Sequence, residues 1–319
     1  MSAAADKRDI QFVVDGVRCR GVHWQPGDSR FQSPTGAPCV VMAPPFGGVV
    51  DAGLDAFAQR LCAAGLHVVE FDYRHFGASE GEPRQLISIA RQIADWRAAL
   101  DHARGLDGID PARIVLWGVS FSGGHVIEVA AEDGGVAAVI AQCPMLDGLS
   151  ALRAILKYAG YGRVLRLACA GLLDVILSAL RLGCHRMPIV APAGRFAMMS
   201  ADDANEAWHR IAPSATNEAC ARIALRLGGY RPGMGIRRVN CPVLLQVCTE
   251  DCIVTPAPAE AAARRAPDTV TLECYRARHF DLYQGELFEQ AVGGQMAFLR
   301  RVLGPGEPPP GDQRGREGS

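Results

Sequence analysis

The chain has no excess of charge of either sign: 33 Lys and Arg stand against 34 Asp and Glu in 319 residues. A balance this even predicts no broad electrostatic funnel for nucleic acid or an anionic membrane. There is no charge-free apolar run long enough to span a bilayer. The most apolar stretch, Val164 to Leu182, is interrupted by Arg166, Asp174 and Arg181. Met1 to Asp9 carries Asp6, Lys7 and Arg8 and lacks the apolar centre of a secretory leader. Cys248 and Cys252 are four apart, but the nearby histidines complete no zinc spacing, so no metal is expected, nor any other cofactor. No internal repeat is visible. Eleven cysteines, an odd number lying mostly in apolar runs such as those around Cys39, Cys143 and Cys241, argue against a secreted disulfide framework and for a cytoplasmic location.

What the chain does have is apolar substance and alternation. Hydrophobic residues make up 49% and charged residues 21%, ordinary globular usage with enough for a large core. Two opening strands, Ile10 to Val14 and Val17 to Trp24, flank an Asp15-Gly16 turn. Apolar runs at Cys39 to Ala43, His67 to Asp72, Arg113 to Trp117 and Val136 to Cys143 read as strands. Between them, Leu54 to Ala64, Leu86 to Ala103 and Ser120 to Ala131 read as helices. Such alternation predicts an α/β fold, a mostly parallel sheet with helices on both faces. The pattern breaks between Leu149 and Asn240, which is helical and irregular, and resumes with strands at Pro242 to Val247 and Val270 to Tyr275 and a closing helix, Leu287 to Leu303. The expected organisation is a core of residues 1–148 and 240–303, a helical cap inserted at 149–239, and a disordered Gly/Pro/charge-rich tail at 304–319.

The segment richest in chemistry is Gly118-Val119-Ser120-Phe121-Ser122-Gly123-Gly124, directly after a strand and opening a helix. A sharp strand-to-helix turn lifts its central side chain clear of the sheet, and small neighbours avoid backbone collisions. Ser120 would also sit at a helix N-terminus, which favours developing negative charge. The usual elbow reads G-x-S-x-G; here Ser122 takes the last position and Gly123 follows. The competing reading is a Gly/Ser-rich turn without chemistry.

A serine hydroxyl needs a base, and the base an orienting carboxylate. On this kind of sheet they follow the serine in the order acid, then histidine, in loops after late strands. The strand ending at Val247 runs into Thr249-Glu250-Asp251, and the one ending at Tyr275 into Arg276-Ala277-Arg278-His279. Asp251 is the favoured acid and His279 the base. Glu250 and Asp147 remain open as alternative acids. His125 reads as an ordinary residue of the helix after Ser120. Two N–H donors must also meet the oxygen of a tetrahedral intermediate. The N–H of Phe121 is one candidate. The other belongs to the loop Pro44-Pro45-Phe46-Gly47-Gly48, where the prolines have no N–H and Phe46, then Gly47, come next.

These segments, together with Phe71-Asp72-Tyr73-Arg74-His75-Phe76-Gly77-Ala78-Ser79, resemble the bacterial α/β-hydrolase family, in the group with serine-aminopeptidase-like and dienelactone-hydrolase-like members. The resemblance runs from about Ile10 to Leu303 and leaves the cap undetermined. It implies an α/β-hydrolase fold and a serine hydrolase with Ser120, Asp251 and His279 as its triad. Asp72 and Arg74 are then loop braces. Many relatives carry His-Gly in place of Pro44-Pro45 and Gly in place of His75. Leucines, isoleucines and the soft Met187, Met198 and Met199 in the cap fit a small lipophilic substrate, an acyl ester or thioester. Two further readings stay open: non-hydrolytic use of the same residues as an acyltransferase, cyclase or eliminating lyase, and a non-catalytic binding protein.

Overall fold

Asp15 and Gly16 both take positive φ, 49° and 77°, as a two-residue hairpin of matching twist requires. They join β1 (Asp6–Val14) to β2 (Val17–Gln25) with Val14 opposite Val17. The computed structural model describes residues 6–27, 30–201 and 204–304; the expected tail, apart from Gly304, lies outside them. β3 (Ala37–Ala43), α1 (Leu54–Ala63), β4 (His67–Phe71), α2 (Ile89–Arg104), β5 (Ile109–Val119), α3 (Phe121–Glu132) and β6 (Ala138–Gln142) follow in strict alternation. After the interruption come β9 (Val243–Cys248), α7 (Ala257–Arg265), β10 (Val270–Tyr275) and α8 (Gly285–Leu303).

Eight strands form one sheet in the order β1-β2-β4-β3-β5-β6-β9-β10. β1–β2 and β2–β4 pair antiparallel; every later neighbour is parallel. β3, β4, β6 and β9 are buried at every residue, because parallel strands are covered on both faces. α1 packs on α8; α2 packs on α3, and the 3₁₀ segment Pro232–Arg238 joins α3 to α7. The expected α/β architecture is the one observed.

Several boundaries differ from the sequence reading, among them β1, which begins at Asp6 and not Ile10. α2 begins at Ile89, not Leu86, because Gln85 takes positive φ and Ser88 is extended. Leu86 and Ile87 are buried all the same, so apolar spacing ran past the true start. β5 begins four residues before Arg113, where Ile109 pairs with Ala37.

Between β6 and β9 lie α4 (Gly148–Ala179), β7 (Arg186–Met187), α5 (Ala204–Ile211), β8 (Ala219–Cys220) and α6 (Ala224–Leu227). The two-residue strands β7 and β8 pair antiparallel, a ladder too short to leave a pattern in sequence. α4 is kinked at Gly160 (φ 76°, ψ 174°), and its N-cap is Asp147, whose carboxylate accepts from the N–H groups of Leu149 and Ser150. Among the described residues no helix is long and apolar enough to cross a membrane.

Candidate active site

β5 ends at Val119, and the chain turns at once into α3, leaving Ser120 at φ 56° and ψ −114°. That backbone is unfavourable for a side chain bearing Cβ, and it is held by bonds on both sides. The Ser120 N–H donates to Gln142 O at 2.9 Å, and the Met145 N–H donates to Ser120 O at 2.8 Å. The turn is tight enough that a Cβ on Gly118 would lie 2.4 Å from the Ser122 carbonyl oxygen, so glycine is required there.

His279 follows β10 and Asp251 follows β9, and parallel neighbours bring their loops to the same edge of the sheet. Nδ1 of His279 lies 2.5 Å from Asp251 Oδ2, and its Nε2 lies 3.1 Å from Ser120 Oγ. With the ring proton on Nδ1, the imidazole donates to the carboxylate and accepts from the serine hydroxyl. All three side chains are buried. The other Asp251 oxygen accepts from the N–H groups of Ile253 and Val254, each at 2.8 Å, which fixes the carboxylate. The alternative acids are engaged elsewhere. Asp147 caps α4 and pairs with Arg231 at 3.0 Å, while exposed Glu250 pairs with Arg276 at 2.9 Å.

Phe46 and Phe121 both line a pocket with Ser120, and their rings meet edge to face at 5.3 Å. The Phe121 N–H opens α3, where a helix has no acceptor of its own to offer. The pocket holds about 480 Å³ of empty space counted out to its open mouth. Apart from Ser120 and Tyr158 its walls are apolar, including Ile155 from α4, Met198, Leu227 and Ile253.

Three neighbours make contacts that the sequence did not disclose. Ser122, buried, donates to the carbonyl oxygen of Pro44 and accepts from the Tyr73 hydroxyl at 2.5 Å; Trp96 Nε1 in turn donates to that hydroxyl at 2.8 Å. Cys143 Sγ lies 3.4 Å from Cys248 Sγ, and its sulfur is grouped with the polar atoms of Asp251 and His279 within 4.8 Å. The Cys248 thiol and burial push the Cys143 thiol well above its ordinary range, so it stands there as a neutral S–H. The closed Asp251–His279 pair already uses the nitrogen and carboxylate a metal would need. His125, one turn into α3, is a buried neutral imidazole, pushed down to about 3 by burial, between Tyr230 and Gln92. The implied braces are visible too: Asp72 accepts from the N–H groups of Val50 and Ala78, and Arg74 pairs with buried Asp95 at 2.5 Å.

A family model for serine aminopeptidase, S33, matches residues 48–282. The chain belongs to that family of α/β-hydrolases. The quorum-quenching protein AidA of Acinetobacter baumannii is 40% identical over 300 residues, covering 92% of this chain and 95% of its own. Thiohydrolase aneE of Aspergillus aculeatus is 35% identical over 140 residues, 44% of this chain and 42% of its own. The crystal structure of Alpha/beta hydrolase GrgF from Penicillium sp. sh18 aligns with a TM-score of 0.75 at 21% identity, covering 93% of this chain and 99% of that one. At that identity the likeness speaks for the fold alone. Family and relatives together make the chain a hydrolase of the esterase or thioesterase type.

Proposed function

We propose that this enzyme cleaves an ester or thioester of a lipophilic acyl group, using Ser120 as nucleophile, His279 as general base and Asp251 as the carboxylate that orients it. The observation that carries the reading is the unbroken line of two hydrogen bonds, Ser120–His279–Asp251, ending at the wall of an apolar pocket. Ser120 Oγ attacks the acyl carbon as Nε2 of His279 takes its proton. The tetrahedral oxygen is met by the N–H groups of Phe121 and Phe46. His279 then returns the proton to the leaving alcohol or thiol, and water attacks the acyl-enzyme with His279 again as base. Asp251 holds the imidazole in the productive tautomer.

Residues 149–239 act as a cap over this site. Support comes from Ile155, Met198 and Leu227, which bring three parts of that segment to the pocket wall. A pocket so poor in polar groups selects by length and shape of an apolar chain. The near full-length likeness to a quorum-quenching protein favours a lipophilic signal with an ester or lactone bond among the substrates to try. Eleven cysteines, all free thiols, favour a reducing, cytoplasmic setting. A second reading is transfer of the acyl group to an acceptor other than water. It draws on the dry pocket wall and on the likeness to polyketide transferase grgF of Penicillium sp, 32% identical over 142 residues.

The test is twofold. A fluorophosphonate probe labels the wild-type chain and fails to label Ser120→Ala. A series of acyl esters, lactones and thioesters of increasing length, with and without an added alcohol acceptor, then shows whether the free acid or the transfer product accumulates. Labelling of Ser120→Ala at another residue of the pocket overturns the assignment.

A further inference from the structure

Eight of the twelve large apolar side chains that are exposed among the described residues lie between Tyr161 and Leu182, on α4 beyond its kink and just past its end. The inner side of that helix is settled. Leu167, Ala170 and Asp174 are buried, and Asp174 accepts three bonds from Arg222 and one from the His185 N–H. Gly171 lies so close to its neighbours that a Cβ would meet Leu225 at 2.8 Å. What remains is an outer face with nothing on it. Tyr161, Leu165, Ala168, Leu172, Val175 and Ala179 follow one another at intervals of four and three, the spacing of a seam between two helices. With Cys169, Ile176 and Leu180 they span an arc of roughly 140° that contains no charged residue.

We propose that this face of α4 binds the same face of a second copy, giving a two-fold dimer. Three observations select that occupant. The first is register. If α4 pairs antiparallel about a two-fold axis at Leu172, Leu165 comes opposite Ala179, Ala168 opposite Ile176, and Leu172 meets its own copy. On either side of the axis large side chains meet small ones, so the helices interdigitate. The second is extent. Tyr161, Leu165, Leu172, Val175, Ile176 and Leu180, six of the twelve exposed large apolar side chains among the described residues, form one contiguous patch, where a monomer carries such side chains scattered singly.

The third is charge. A helix lying on an anionic bilayer carries a row of cations along its flanks. Along α4 beyond its kink there is no such row: Arg166 is stacked over the Phe196 ring at 4.6 Å, Arg163 is buried with its guanidinium bonded to the Ala197 carbonyl, and the exposed Arg181 stands past the end of the helix. Pairing two such faces buries no uncompensated charge.

Sedimentation velocity on the full chain at about 20 µM tests this. We expect one species of twice 34.1 kDa. Leu172→Arg sets two guanidinium groups against each other at the axis and shifts the species to monomer, with an unchanged circular dichroism spectrum because the position is exposed. Val175→Cys brings a new thiol opposite Cys169 of the second copy, so mild oxidation yields a covalent dimer that Cys169→Ser abolishes. A wild-type chain that is monomeric, or a dimer that Leu172→Arg leaves intact, overturns the proposal. So does a monomer that co-sediments with phosphatidylglycerol vesicles, which would assign the face to lipid.

Discussion

The Ser122 hydroxyl donates to the carbonyl of Pro44 and so ties the turn that carries Ser120 to the loop that carries Phe46. Two walls of one pocket, 78 positions apart in sequence, are therefore joined by a buried bond. Tyr73 and Trp96 extend the chain, and each hydroxyl in it both donates and accepts.

Ser122→Ala removes the donor for Pro44 and the acceptor for Tyr73, both buried. The loop then sits less firmly over the oxyanion position. We expect kcat to fall roughly tenfold, equivalent to about 1.4 kcal/mol, with KM nearly unchanged. Ser122→Gly, which restores the common elbow pattern, should do no better, and steady-state kinetics on a short ester compares the two.

Phe46→Pro removes one of the two proposed N–H donors while keeping an apolar side chain. The loss of a single donor costs about 10²–10³ in kcat. A folded variant that hydrolyses a short ester at the parental rate excludes Phe46 from the oxyanion hole.

Ile155→Trp fills the pocket from the α4 side. Hydrolysis of a long-chain ester should drop by about tenfold or more in kcat/KM, and that of an acetate ester should change little. Equal losses on both would mean that the acyl chain lies elsewhere.

Stability should depend on pH through two buried groups near the antiparallel end of the sheet. Burial pushes the Glu70 carboxyl up from 4.5 to about 8, against the opposing bond from Trp24 Nε1. Burial, with His67 beside it, pushes His23 down from 6.5 to about 4. The unfolded chain releases the Glu70 proton from 4.5 while the folded chain keeps it, so this group lowers stability as pH rises from 4.5 to 8. His23 works the other way, because below 6.5 the unfolded chain takes up a proton that the folded chain refuses until about 4. The depressed His75 and His125 act in the same sense as His23, and Asp95, raised to about 6, in the same sense as Glu70, so the two sets oppose each other up to 6.5 and Glu70 leads above it. Melting temperature should therefore fall between pH 6.5 and 8, at up to about 1.4 kcal/mol of stability per pH unit. Glu70→Gln should flatten that fall, and calorimetry across the range measures it.

The parts of this molecule that were legible in sequence are those set by local pattern. Asp15-Gly16 announced its hairpin, and Ser120 announced its turn through the small residues around it and the strand before it. Asp251 and His279 were legible by their place after late strands, although the sequence alone left Glu250 and Asp147 in contention. What separates them is the 2.5 Å contact of His279 Nδ1 with Asp251, together with the Arg276 and Arg231 pairings and the cap at α4 that engage the other two. His75 departs from a glycine common among relatives, and its φ of 76° accounts for the glycine. What stayed hidden depends on distant partners. Ser122 looked like a tolerated substitution because nothing in sequence links it to Pro44. Cys143 and Cys248, 105 apart, gave no sign of meeting. The even charge balance was a sum over the whole chain and could not report that one helix face carries no charge at all.

The inserted segment leaves the core and returns to it at nearly the same spot. The Gly148 N–H donates to the Tyr230 carbonyl at 2.8 Å, and the Gly233 N–H donates to the Leu146 carbonyl at 3.0 Å. Departure and return are thus clasped by backbone bonds, and the approach is close enough to require glycine at 148, where a Cβ would lie 1.7 Å from the Leu227 carbonyl oxygen. Whatever lies between pays only a closure entropy that grows with the logarithm of its length. That stretch can therefore vary in length and sequence, as a lens is changed on a camera body, while Ser120 and His279 keep their separation.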